Sequence, residues 1–224
     1  EILQKHHFQI IMVRLAFVGP MGSGKTTYAE SFVESYPTYD SVLCSRMEAN
    51  NSKRLFHKWK QQHLPKACKR LSIAAPIYKI ARERFGMKEK DRRLLQIIGE
   101  TGRALDKDVW IDELVSEVRR CPDVSYVVDD VRQTNEVLRL RAEGFRIIFL
   151  ESSCADRIKR LTSKYGAHAP KHIQGMNDAS EGSVPKEYIS YSWPANTTTH
   201  WREDVYSRLR EFMVNLCLRE SQGM

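Results

Sequence analysis

Gly19-Pro20-Met21-Gly22-Ser23-Gly24-Lys25-Thr26 fits the pattern G-x-x-x-x-G-K-[ST] at every constrained position. The residue types dictate a chemistry. Glycines let the chain curl until successive backbone N–H groups point into one anion hole, and a helix starting near Lys25 aims its positive dipole end at the same place. A triphosphate tail is the anion that fits. Gly19, Gly22, Ser23 and Gly24 supply the cradle, and Lys25 reaches the β- and γ-phosphates. The Thr26 hydroxyl ligates Mg²⁺, with Thr27 beside it in the first helical turn.

Asp129 and Asp130 close a second apolar run, Tyr126-Val127-Val128. A carboxylate at that strand end is expected to hold Mg²⁺, directly or through water. Arg132 is placed to ligate a transferring or acceptor phosphate, and Asp130 is the candidate general base should the acceptor be an alcohol. The competing expectation is a carboxylate that caps the helix beginning at Asn135. Arg157, Arg160 and Lys164 share one helix face by their i, i+3, i+7 spacing. Such a face either lends charge to a migrating phosphoryl group from a closing lid or is simply solvated. The Gly/Ala/Pro/Asn/Ser-rich stretch 166–184 that follows favours a lid, expected over 153–186.

These groups need elements to hold them. Val13–Val18 reads as a buried strand, and the glycine turn leads into a helix over Thr26–Tyr36 stopped by Pro37. Further strands are expected at 41–44, 71–74, 126–129, 145–150 and 188–193. Helices are expected at 53–62, from Pro76 to Phe85, and at 92–103, 109–119, 135–143, 155–165 and 202–218. Strands alternating with helices imply a mainly parallel sheet covered on both faces, with ligands at the carboxyl ends of its strands.

The 224 residues suit one compact domain, expected over 12–224. Met12 sits where a natural start fits, so residues 1–11 are expected to be upstream residues outside the fold. No apolar run nears the ~20 residues that cross a bilayer, so no membrane partner is expected. The cysteines at 44, 68, 121, 154 and 217 are odd in number and lack a C-x-x-C pair, which excludes a zinc ribbon and favours a reducing, cytoplasmic setting. His168 and His172 are four apart, but Pro170 between them argues against a zinc-binding helix.

Charge is uneven. Between Cys44 and Arg70, eight basic residues (Arg46, Lys53, Arg54, Lys58, Lys60, Lys66, Lys69, Arg70) face the single carboxylate of Glu48, so this segment holds nearly all of the +8 net charge. Cations mixed with Phe56, His57 and Trp59 suit single-stranded nucleic acid, which makes DNA contact through 44–70 one expectation; a solvated helix or an extra acceptor-site wall is the other.

The triphosphate motif does not fix its use. No N-K-x-D guanine clamp and no L-S-G-G-Q segment is present. The P-loop, Ala74-Ala75-Pro76-Ile77-Tyr78-Lys79, Leu94-Leu95-Gln96-Ile97-Ile98-Gly99 with Arg103, Asp108 and Trp110, and Val127-Val128-Asp129-Asp130-Val131-Arg132 with Asn135-Glu136 together resemble the phage-type deoxynucleoside monophosphate kinases. Asp178-Ala179-Ser180-Glu181 is similar to that group's lid motif D-H-x-S-E, with Ala179 in place of histidine, and Asn196 also fits.

The resemblance implies a P-loop kinase fold using ATP and Mg²⁺, with a mobile lid and a basic insertion at 44–70 that departs from the pattern. It implies transfer of the γ-phosphate to a deoxynucleoside monophosphate in the cytoplasm (of the host, if phage-encoded). Lys79, Gln96, Arg103 and Arg132 would line the acceptor site, Arg157 and Arg160 would serve the lid, and Asn196 would join the nucleotide-binding residues. Trp110 reads as core. Two other functions stay open: a P-loop kinase acting on a hydroxymethylated base within DNA, and a nucleotide-gated nucleic-acid binder. A homodimer is left open too.

Overall fold

A computed structural model describes residues 12–36, 68–174, 176, 184–195 and 201–221. The expected elements at 41–44 and 53–62, most of the basic segment, the Asp178–Glu181 motif and Asn196 lie outside the described residues.

Five parallel strands form the sheet: β1 (Arg14–Val18), β2 (Cys68–Leu71), β3 (Ser125–Val128), β4 (Arg146–Glu151) and β5 (Tyr191–Pro194), in the order β2-β3-β1-β4-β5. β1 is central, and alternation along it divides the core in two. Leu15 and Phe17 face one side with Tyr28, Phe32, Trp193 and Leu209, packed by α1 (Lys25–Ser35) and the C-terminal helix Trp201–Ser221. Ala16 and Val18 face the other, under α2 (Ala75–Phe85), α3 (Arg92–Leu105), α4 (Val109–Arg120) and α5 (Thr134–Ala142). After β4 come α6 (Cys154–Tyr165), a 3₁₀ turn at Gly166–His168 and α7 (Ala169–Gln174); α8 is the C-terminal helix. No helix among the described residues is long and apolar enough to cross a membrane.

Helix starts follow local chemistry. Asp91 accepts from the Leu94 N–H at 3.0 Å to open α3, and Ser153 accepts from the Asp156 N–H at 3.0 Å to open α6. Trp110 is core as expected: its indole N–H donates to the Gly99 carbonyl at 3.0 Å, and a Cβ on Gly102 would lie 2.2 Å from its ring. The glycine pair thus presents bare backbone to the indole and seats α3 closely on α4.

Three expectations shift. The strand expected at 71–74 runs from Cys68 to Leu71. Its polar Lys69 and Arg70 suit a sheet edge, while the N–H groups of Ile73 and Ala74 turn to the Asp130 carboxylate and leave the ladder. The last strand begins at Tyr191, because Lys186–Tyr188 is a 3₁₀ turn. The stretch from Gly166 is helical as far as Gln174, with Pro170 tolerated in the first turn of α7.

Candidate functional site

The turn between β1 and α1 has the cradle shape. Gly19, Gly22 and Gly24 all take positive φ, and the Ser23 N–H closes onto the Pro20 carbonyl at 3.1 Å. Lys25 folds its ammonium back over the loop, donating to the Gly19 carbonyl at 2.6 Å and to the Pro20 carbonyl at 3.1 Å. The cation therefore stands at the loop itself, where an anion would meet it. Ser23 is buried, with its hydroxyl lacking a hydrogen-bond partner among the described residues. Thr26 and Thr27 occupy the first turn of α1.

α6 packs onto the crest of this loop. A Cβ on Gly22 would lie 3.1 Å from the Arg157 Cβ and 3.2 Å from the Arg157 carbonyl oxygen. Arg160 donates to the Gly22 carbonyl at 2.8 Å, to Ser152 Oγ at 2.9 Å and to the Ala195 carbonyl at 2.6 Å, while Arg157 reaches the Met21 carbonyl at 3.4 Å. Burial lowers the Arg160 pKa from its ordinary value, opposed by the nearby Asp156 carboxylate. These arginines take up two carbonyls of the loop, those of Met21 and Gly22. Arg160 thus braces the loop against the ends of β4 and β5, an employment different from that of a cation carried on a swinging lid. Lys164 stays exposed and lies over the Tyr165 ring, 5.6 Å from its centre.

The two carboxylates after β3 are also employed in the scaffold. Asp129 is buried and takes a two-pronged grip from Arg70; the hydrogen bond that Arg70 donates to Asp129 is the largest influence raising the Arg70 pKa. Asp130 accepts from Ser72 Oγ at 2.6 Å and from the Ile73 and Ala74 N–H groups at 3.0 Å each. It therefore caps the approach to α2. The helix at Asn135 is capped by Gln133 and Glu136 instead. No cluster of three or more His, Cys, Asp or Glu among the described residues could hold a metal ion. With both aspartates turned to other partners, a Mg²⁺ ion would be held by the Thr26 hydroxyl together with the phosphate oxygens of a triphosphate.

Beside the loop lies a cavity of about 220 Å³, with Met21 of the P-loop in its lining. Ile73, Ile77, Tyr78 and Leu95 form an apolar wall, while Lys90, Arg92, Arg103 and Arg132 supply positive charge. Gln96 and the carboxylates of Glu100, Asp130 and Glu136 also line it. Gln96, Arg103 and Arg132 were expected here. Lys79 is exposed and does not line the cavity. Its neighbour Tyr78 does, with Arg82 and Lys90 each within 6 Å of its ring centre.

Tyr78, Lys90, Arg92 and Glu100 escaped the sequence reading, yet a signal existed. Arg92, Gln96, Gly99 and Arg103 recur at four, three and four residues, which is one stripe of a helix. On α2, Ile77 and Ala81 mark the buried face, so Tyr78 borders it and Lys79 points elsewhere. Asp108 and Asn135 of the resembling motifs form a clip: the Asn135 amide donates to Asp108 at 2.8 Å and to the Lys107 carbonyl at 3.0 Å.

No family model matches the chain, and no curated protein matches it by sequence. Solved structures do match. A shikimate kinase from Acinetobacter baumannii in complex with shikimate is 13% identical with a TM-score of 0.51, covering 92% of this chain and 95% of that one. A sugar kinase from Janibacter sp. HTCC2649 is 13% identical with a TM-score of 0.50, covering 91% of this chain and 95% of that one. The chain has the P-loop kinase fold. In a P-loop kinase fold with this strand order, the loop after the central strand and the cavity beside it share the carboxyl end of the sheet, the place where such sheets bind ligands.

Proposed function

We propose that the protein transfers the γ-phosphoryl group of ATP to the phosphate of a deoxynucleoside monophosphate, giving the diphosphate. One observation carries this reading: the lining of the cavity beside the P-loop combines four cations, Lys90, Arg92, Arg103 and Arg132, with apolar residues and Tyr78, while two of its three carboxylates, Asp130 and Glu136, are taken up by scaffold hydrogen bonds. A neutral polyol has no use for such a concentration of cations, whereas a phosphate dianion joined to a flat base uses both cations and apolar residues.

The chemistry asks little of a base. A phosphate monoester has its second pKa near ~6, so its dianion is already nucleophilic at neutral pH and needs placement above all. An acceptor oxygen forms the new bond to the γ-phosphorus as the bond to the β–γ bridging oxygen breaks, and ADP leaves. Lys25 and the loop amides hold the triphosphate tail; Arg103 and Arg132 hold the acceptor phosphate. Arg157 and Arg160 keep the loop in shape. Mg²⁺, when bound at Thr26 and the phosphates, neutralises charge on the β- and γ-oxygens.

The decisive measurement is a product assay with ATP–Mg²⁺ over a panel of deoxynucleoside monophosphates, with hydroxymethylated DNA in parallel. A diphosphate from at least one monophosphate supports the proposal. Its absence throughout refutes it, and label entering the DNA would transfer the reading to a polymer acceptor.

A further inference from the structure

Glu136 has the position of an ordinary capping-box glutamate, but its surroundings differ from those of one. Such a residue closes one backbone N–H, that of the N-cap. Glu136 is only 3% exposed and lines the acceptor cavity. Its Oε2 accepts two N–H groups, from Arg132 at 2.8 Å and from Gln133 at 3.0 Å. Its Oε1 lies 3.5 Å from Nη2 of Arg103. One buried carboxylate thus joins the backbone of one cavity arginine to the guanidinium of another.

The rest of each arginine's setting completes the arrangement. Arg103 leans on bare backbone at Gly99, where an added Cβ would lie 3.2 Å from Nη1. The segment carrying Arg132 is tied at its other end through Asp130 to the 72–74 turn. A guanidinium has five N–H donors, so the ion pair with Glu136 draws Arg103 to one side and leaves donors for the cavity. Fixing a recognition group beforehand lowers the ordering cost when its ligand arrives.

We infer that Glu136 is a positioning residue that aims Arg103 and holds Arg132 for a phosphate-bearing acceptor. The inference rests on the acceptor reading of the cavity given above. Glu136→Gln keeps a carbonyl oxygen for the two N–H groups but removes the charge that orients Arg103. The acceptor KM is expected to rise about tenfold or more. kcat, the KM for ATP and the melting temperature should stay near wild type. Because the effect acts through Arg103, adding Glu136→Gln to Arg103→Gln should raise the acceptor KM no further than Arg103→Gln alone.

A merely structural cap predicts otherwise: a lowered melting temperature, both KM values moving together, and additive effects in the double variant. Any of these overturns the inference. If the wild type phosphorylates no monophosphate, the acceptor proposal falls separately. Inorganic phosphate is then titrated into wild type and Glu136→Gln, each saturated with a non-hydrolysable ATP analogue, while the arginine Nε–H signals are followed by NMR. Phosphate binding about tenfold weaker in the variant sustains the positioning role, and equal affinity overturns it.

Discussion

Arg70 holds Asp129 in a parallel fork, Nε to Oδ1 at 2.8 Å and Nη2 to Oδ2 at 2.9 Å, across neighbouring strands of the sheet. The aspartate side chain is 2% exposed and the arginine 38%, and Arg70 also reaches Glu30 of α1 at 3.2 Å. This network fastens the sheet edge to the helix that leaves the P-loop. Removing the cation strands a buried carboxylate, whereas neutralising the carboxylate leaves a guanidinium that water and Glu30 still serve. Arg70→Leu is therefore expected to lower stability by about 2–3 kcal/mol, between exposed and fully buried pairs. Asp129→Asn should cost less. Urea denaturation of both variants checks the asymmetry, and the reverse order would defeat it.

Gly22 and Gly86 separate conformational strain from a blocked approach. Both have positive φ, 81° and 64°, but a Cβ at Gly22 meets Arg157 while one at Gly86 has nothing within 4 Å. Gly86→Ala should cost only about 1–2 kcal/mol of stability and leave nucleotide affinity alone. Gly22→Ala must also push α6 off the loop, so MgATP affinity measured by calorimetry should fall about tenfold or more. Equal ATP affinity in the two variants would show that the contact with α6 is irrelevant.

Lys25→Met should lower kcat by about 100- to 1000-fold, the effect expected when a charge aimed at the transferring group is lost. The fold should survive, because its ammonium bonds the Gly19 and Pro20 carbonyls of its own loop. Circular dichroism beside the rate assay separates the two. Unchanged turnover would remove the loop from the chemistry.

The neighbours Tyr78 and Lys79 give a local contrast. Lys79 is exposed outside the cavity, so Lys79→Ala should alter the acceptor KM by less than about twofold. Arg92→Ala removes a cavity cation and should raise it about tenfold or more. A large effect at Lys79 with none at Arg92 would mean that the acceptor binds elsewhere.

Cysteine reactivity gives a test independent of activity. Burial pushes the Cys68 thiol up to about 12, while Cys154 is exposed. Only the thiolate reacts, so at pH 8 a maleimide mapped by mass spectrometry should modify Cys154 well before Cys68. The sign for stability follows. A thiol whose folded pKa is raised keeps its contribution below the unfolded value, near ~8.5, and loses it as pH climbs toward 12. Stability should fall above about pH 9, less steeply in Cys68→Ala. Fast labelling of Cys68 would contradict its burial.

The phosphate loop was legible from residues 19–26 alone, because a glycine cradle followed by a helix start is local backbone geometry that needs no distant partner. The parallel α/β architecture was legible too, since apolar runs buried on both faces of a sheet repeat along the chain whatever their order. Trp110 was read as core from its type, and burial confirms it. Tertiary structure decided which charges are employed in the scaffold and which are offered to a ligand. Asp129 and Arg70 are 59 residues apart, and Arg160 and Gly22 are 138 apart, so no local pattern could reveal those bonds. Lys79 and Tyr78 differ by one residue, but helix packing sets one into solvent and the other into the cavity wall. Sequence named the cations, and the meeting of β3, α2, α3 and α5 chose among them, because a charge acts on whatever lies within a few ångströms, however far away along the chain.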